Sequence, residues 1–486
     1  METAETGVWS ASGHVGRVVF LNKVKGHLDA VNPTNIGQQF NSTKQSMSIW
    51  ELILVGVGGI IGAGYFLGSG SPIRTAGPSV LIAFLVGGFI TTQTVGALNT
   101  LAMYHPSEGA FKVYADMYLG RFIGYMQGWT YYLTSILTIS SEAVASAIFV
   151  RLWVPSVPIW LLSSIFAAIV ILINAFGVKD FGLVESFMSV IKIAALVGFI
   201  VVVALSLFGW HVQATGTTPK MSSLFTGSFF PHGFGGLCQS MLIVIFAYAG
   251  IGVFGTAAVE LKHPKLLDMG GFTTMGLLTG LYFLSIAGVL LILPWNEVST
   301  QISPFVQAIQ SLHLGLLANV LNAVILIASF SVMAGSVFSA NQILASLGHG
   351  GEAPKFTIKT SEKRHIHYGA LITTAIGIAI FIGVSYMLPS SVYNLLISSS
   401  SFFTFFNWLI MLATLIAWRR KEAKNKVSKL AFGQPFTTWL TMVLIVVLAG
   451  YALFERDQRL GFYVSLAMSI LLVVGYFFSH KRKLAL

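Results

Sequence analysis

Two kinds of group in this chain could do chemistry: backbone laid bare by glycine within apolar stretches, and a few charged side chains set inside other apolar stretches. From Leu52 to Gly70 the chain reads LILVGVGGIIGAGYFLGSG, apolar enough for lipid yet holding Gly56, Gly58, Gly59, Gly62, Gly64, Gly68 and Gly70. Glycine weakens a helix through lost backbone entropy, so a plain membrane anchor has little use for so many. A helix broken there offers unpaired N–H groups to an anion and unpaired C=O groups to a cation. Bare backbone at membrane depth persists only where protein buries it or a wet cavity adjoins it. That paired polarity suits a zwitterion. Close helix packing through small residues is the competing reading; the Gly62-Ala63-Gly64 cluster in mid-span points to the break. A second stretch, LIVIFAYAGIGVFGTAAVE from Leu242 to Glu260, is interrupted at Ala249-Gly250-Ile251-Gly252.

Two ionisable residues fall inside apolar spans, where a charge is costly and marks a functional site by default. Lys192, in SVIKIAALVGF, either snorkels to the interface or works as a group that is charged when wet and neutral when dry. Glu142, in TISSEAVAS, has the small polar neighbours Ser140, Ser141 and Ser146. It is either a structural carboxylate bonded to a neighbouring helix or, because burial favours the neutral acid, a proton carrier. Glu108 and Glu260 read as helix-end or gate contacts. Tyr131, Tyr132 and Phe402 are candidates for pocket walls. His365 and His367 lack the ligand set of a metal site, so neither metal nor cofactor is expected. Walker A, HExxH and GxSxG patterns are absent, which leaves an ATP-driven pump, a zinc peptidase and a serine esterase without support.

The elements that must position these groups follow from composition. Of 486 residues, 55% are hydrophobic and 9% charged, and the mean hydropathy is +0.79. A soluble domain carries about a quarter charged residues, so this is a polytopic, all-α membrane protein. Spans of roughly 20 residues or more fall near 48–71, 79–103, 122–150, 157–176, 184–208, 237–258, 271–294, 316–346, 369–388, 392–418, 436–454 and 460–479. Twelve spans put both ends on one side. The loops of that side hold 22 Lys and Arg against 5 on the other, so both termini are expected in the cytoplasm. The net charge of +11 reflects this bias and not nucleic acid. Residues 1–47 read as a cytoplasmic tail, 419–435 as a basic loop touching anionic lipid, and 480–486 as a second tail. A single cysteine, Cys238, excludes an intrachain disulfide framework. Interrupted spans one and six, five spans apart, point to an inverted repeat. The halves would be 48–208 and 237–418 within a core of 48–418, with 436–479 peripheral.

From about Ser48 to Lys421 the chain resembles an amino-acid permease of the amino acid–polyamine–organocation superfamily, on its bacterial amino-acid transporter branch. The resemblance is carried by GGIIGAGYFLGSG (58–70) with Ala76-Gly77-Pro78-Ser79, and by Pro106 to Trp129 with Gly109, Tyr114, Tyr118 and Gly128-Trp129. FAYAGIGVFGTAAVELKHP (246–264) and SANQILASLGHGGEAPKF (339–356) complete it. It implies a LeuT-like fold of inverted five-helix repeats with broken helices 1 and 6, and two peripheral helices. It also implies amino-acid transport by exchange or together with protons. Backbone N–H groups around Gly62, Ala63 and Gly64 would take the substrate carboxylate, and carbonyls of Ile60, Phe246 and Ala249, with Ala247 and Gly250 beside them, the α-ammonium. Lys192 would stand where sodium-coupled relatives hold sodium. Relatives often have Ser or Thr at Ala63, Thr-Glu at Ile251-Gly252 and Arg at Gln342. Loss of that Glu favours neutral, apolar L-amino acids over lysine or arginine. The expectation is a proton-coupled secondary transporter in the cell membrane, with an exchanger or a non-transporting receptor on the same fold as alternatives.

Overall fold

The computed structural model describes residues 47–107, 109–176, 181–208, 227–258, 261–263, 266–361, 366–387, 392–422 and 426–484. Glu108, Glu260, His365 and residues 1–46 of the expected tail lie outside the described residues. Among the described residues there is no strand, only the isolated bridges Met47–Leu261 and Thr360–His367.

Each apolar stretch of the sequence folds as helix. The first comes in three pieces, α1 (Ile49–Ile60), α2 (Ala63–Phe66) and α3 (Gly70–Ala76). Ser48 and Glu51 start α1 with a reciprocal cap, each side chain bonding the other's backbone N–H. Next come α4 (Val80–Tyr104), a short α5 (Ala110–Leu119), and the long α6 (Arg121–Arg151), α7 (Ile159–Phe176) and α8 (Phe181–Leu207). The sixth stretch is split into α9 (Gly233–Phe246) and α10 (Ile251–Ala257). After it come α11 (Leu267–Ile292), the short α12 (Pro304–Ser311), α13 (Gly315–His349), α14 (Tyr368–Met387), α15 (Val392–Lys421), α16 (Phe436–Ala452) and α17 (Arg456–Leu484). Among the described residues eight helical runs are long and apolar enough to cross a membrane, and four shorter apolar helices accompany them.

Burial sorts the helices. Most of α6, α13 and α15 is buried, and α6 packs against both others. On α7, α8, α14, α16 and α17 large apolar side chains such as Leu172, Phe187, Ile380, Val446 and Leu471 point outward, as a lipid-facing surface requires. Hydroxyls inside the bundle bond back to their own helix. Thr91 donates to the Gly87 carbonyl at 2.7 Å and Thr100 to that of Gly96 at 2.7 Å. This satisfies a polar group where no water can.

Candidate functional site

Both interruptions lie in the core and touch. α1 ends at Ile60, Ile61 and Gly62 are extended, and α2 begins at Ala63. In the sixth stretch residues 247–250 leave the helix. The sequence places that second break at 249–252; Ile251 and Gly252 instead already belong to α10. The reason is that Gly252 provides room and not backbone freedom: a side chain there would overlap the Tyr131 hydroxyl. Gly250 lies so close to the Gly59 carbonyl that any side chain would overlap it. Glycine is what allows the two half-helix ends to meet.

The first break is held by a carboxylate. Ala63 N donates to Glu142 Oε2 at 2.9 Å and Gly64 N to Glu142 Oε1 at 3.2 Å. Glu142, on α6, is 2% exposed. The Tyr393 hydroxyl of α15 donates to the Ala63 carbonyl at 3.0 Å. The Phe246 ring lies against Gly64. Ile60 is the last residue of α1, so its carbonyl belongs to the final turn, which lacks intrahelical donors.

The second break satisfies three of its amides from its own segment. Ala247 N bonds to the Ile243 carbonyl at 3.2 Å, Tyr248 N to that of Ile245 at 3.0 Å and Ala249 N to that of Phe246 at 3.0 Å. The Ala247 carbonyl accepts the Tyr282 hydroxyl at 3.0 Å. Tyr282 in turn stacks on Tyr65 of α2 with ring centroids 3.7 Å apart. These rings tie α11 to both breaks.

Lys192 is fully buried on α8 and reaches no surface. Its Nζ donates to the Gly58 carbonyl of α1 at 2.6 Å and to Ser331 Oγ of α13 at 2.8 Å. Glu185, at the start of the fifth expected span and not among the candidates read from the sequence, stands 3.6 Å from the ammonium and is 2% exposed. Its spacing of seven residues from Lys192, two turns on one helix face, is the signal that could have found it. Ser331 carried no signal, since its partners are distant in sequence. Of the expected wall residues, Tyr131 stands beside the second break with its hydroxyl against Gly252. Phe402 packs edge-on against Phe462 of α17, Tyr132 sits in a separate core cluster with Ile136, and Tyr131 stacks on Phe111.

A multi-pass helical bundle with two facing helix breaks, a carboxylate on one and a buried ammonium beside it, has the build of a membrane carrier. The comparisons name the class more narrowly. The model of the amino acid permease family matches residues 51–486. The chain belongs to that family, within the amino acid–polyamine–organocation superfamily, whose members are transporters and not enzymes. It is 32% identical over 441 residues to the uncharacterized transporter YcgH of Bacillus subtilis (strain 168), covering 90% of this chain and 96% of that protein. It is 30% identical over 449 residues to the L-asparagine permease of Escherichia coli (strain K12), covering 90% and 89%. It is 29% identical over 452 residues to the aromatic amino acid transport protein AroP of the same strain, covering 92% and 98%.

Proposed function

We propose that this protein is a secondary transporter that carries neutral, apolar L-amino acids by alternating access, coupled to protons. The observation that carries this reading is the pair of amides at Ala63 and Gly64, which hold a carboxylate in a dry core. Backbone that binds the carboxylate of Glu142 is chemically competent to bind that of an amino acid. Carbonyls of Ile60, Phe246 and Ala249, with Ala247 and Gly250 completing the turn, would face the α-ammonium. Similarity to a permease named for asparagine and a transporter named for aromatic amino acids agrees with a neutral side chain. So does the Tyr131 hydroxyl, which takes the space an acidic side chain at 252 would need.

On this reading twelve spans cross the membrane, repeats 48–208 and 237–418 form a LeuT-like core, and both termini are cytoplasmic. Coupling falls to Lys192 and Glu142. An ion drives a conformational equilibrium only if the two states bind it differently. An ammonium bonded to α1 and α13 when the site is closed, and wetted when it opens, meets that condition. Uptake of leucine into proteoliposomes under an imposed pH gradient, with and without sodium, tests the assignment. Accumulation is expected to follow the pH gradient without sodium. Lys192→Ala should lose that accumulation more severely than it loses leucine binding. Lys192→Arg keeps charge but not titration and should also fail to accumulate. Sodium-dependent uptake, or undiminished proton-driven accumulation by Lys192→Arg, would reject the mechanism.

A further inference from the structure

Glu185, Ser189 and Lys192 are spaced by four and three residues, so they project from one face of α8. That face lies against Gly58 of α1 and Ser331 of α13. Ser331 stands between the two charges, with its Oγ 2.8 Å from Lys192 Nζ and 2.6 Å from each carboxylate oxygen of Glu185. The direct separation of 3.6 Å is too long for a hydrogen bond. A hydroxyl has one proton to give and lone pairs to accept with. Accepting from the ammonium and donating to the carboxylate, Ser331 joins them in one directed chain, N–H to O–H to carboxylate. Ser331 is fully buried and Glu185 nearly so, so no bulk water joins the chain. Burying an ion pair in this way often stabilises less than plain apolar packing would, so the arrangement calls for another reason.

We propose that Ser331 and Glu185 are the path by which Lys192 passes its proton toward the cytoplasm. The Glu185 backbone lies about 10 Å along the helix axis from that of Lys192, nearer the Phe181 end of α8, the side the basic loops assign to the cytoplasm. In the transfer, an Nζ–H bond of Lys192 breaks as Ser331 Oγ gains that proton. The original Ser331 Oγ–H bond breaks as a Glu185 oxygen gains the other. Lys192 ends as a neutral amine and Glu185 as a neutral acid, so both charges vanish together and neither is left unpaired. Glu185 then loses its proton to water when the cytoplasmic face opens. Glu142 of α6, the other buried carboxyl group near the breaks, is held by the amides of Ala63 and Gly64. From α1 this face meets the Gly58 carbonyl, and from α13 the Ser331 hydroxyl. Asp268 of α11, which also packs on α8, is engaged by Ser428 and the Lys429 amide.

This rests on the proton-coupled reading above, and wild-type protein in proteoliposomes tests that reading first. Two fluxes of leucine are then compared: counterflow exchange, which needs no net proton movement, and accumulation driven by a pH gradient. Ser331→Ala is expected to keep exchange within about threefold while accumulation falls about a hundredfold, the lower range of what a positioned proton donor contributes. Ser331→Thr, which retains the hydroxyl, should restore accumulation. Glu185→Gln should lose accumulation and flatten the pH profile of uptake. If Ser331→Ala and Glu185→Gln accumulate within about twofold of wild type, or if exchange and accumulation fall together and Ser331→Thr restores neither, the relay is overturned while transport stands. Wild-type protein that exchanges leucine without proton-driven accumulation overturns the coupling and the relay alike.

Discussion

The two helix breaks solve one problem in opposite ways. At 247–250 the chain folds into tight turns and the amides of Ala247, Tyr248 and Ala249 bond to carbonyls three or four residues back. At 61–62 the chain is extended, the amides of Ala63 and Gly64 open the next helix with no preceding turn to bond to, and a side chain from α6 satisfies them. A self-satisfied break keeps its shape whatever approaches. A break that borrows its partner can exchange that partner for another carboxylate. This contrast is the reason the proposed carboxylate site is placed at the first break. The second supplies a fixed wall of carbonyls, locked to α11 through Tyr282.

Three substitutions would break or sharpen this contrast. The largest effect is expected from Glu142→Ala, which leaves two buried amides without an acceptor, at about 2–5 kcal/mol in total. Thermal unfolding in detergent should show the loss, and added leucine should stabilise this variant more than wild type because the vacated amides take its carboxylate. An unchanged melting temperature would mean that the first break is as self-sufficient as the second. Gly250→Ala comes next. Its methyl overlaps the Gly59 carbonyl, and overpacking of this kind costs about 1–3 kcal/mol. Leucine should not rescue it, since no ligand site is freed; rescue equal to that of Glu142→Ala would erase the distinction between the breaks. The smallest effect belongs to Tyr393→Phe, which removes the hydroxyl bonded to the Ala63 carbonyl and should cost about 1 kcal/mol. A larger loss, or one with no change in leucine affinity, would show that Tyr393 holds the bundle and not the break.

A second pair of charge clusters shows what environment does to the same residue types. At the end reached by α5, Lys112 pairs with Asp116 and lies 3.2 Å from Glu352, which Arg121 also meets at 3.2 Å. Arg121 is half exposed there while Lys112 and Glu352 are buried, and two cations and two carboxylates share one neutral network that holds α5 to the loop after α13. Around Lys192 nothing is screened, and one hydroxyl orders two opposite charges.

The sequence by itself determined the class of the protein, the places of its helices and the first break. Those depend on local properties: apolar length, charge placement and glycine content. It located the second break two residues late, because glycine marks both free backbone and close approach, and only the packing of Tyr131 against Gly252 separates the two. It picked out Lys192 and Glu142 by the rarity of charge in apolar spans. It gave no sign that Glu142 would reach the amides of Ala63 and Gly64, or that Ser331 would stand between Lys192 and Glu185. Those contacts join residues 78, 79, 139 and 146 positions apart. Only the tertiary structure decided them, because a hydrogen bond depends on where helices cross and not on what lies beside a residue in the chain.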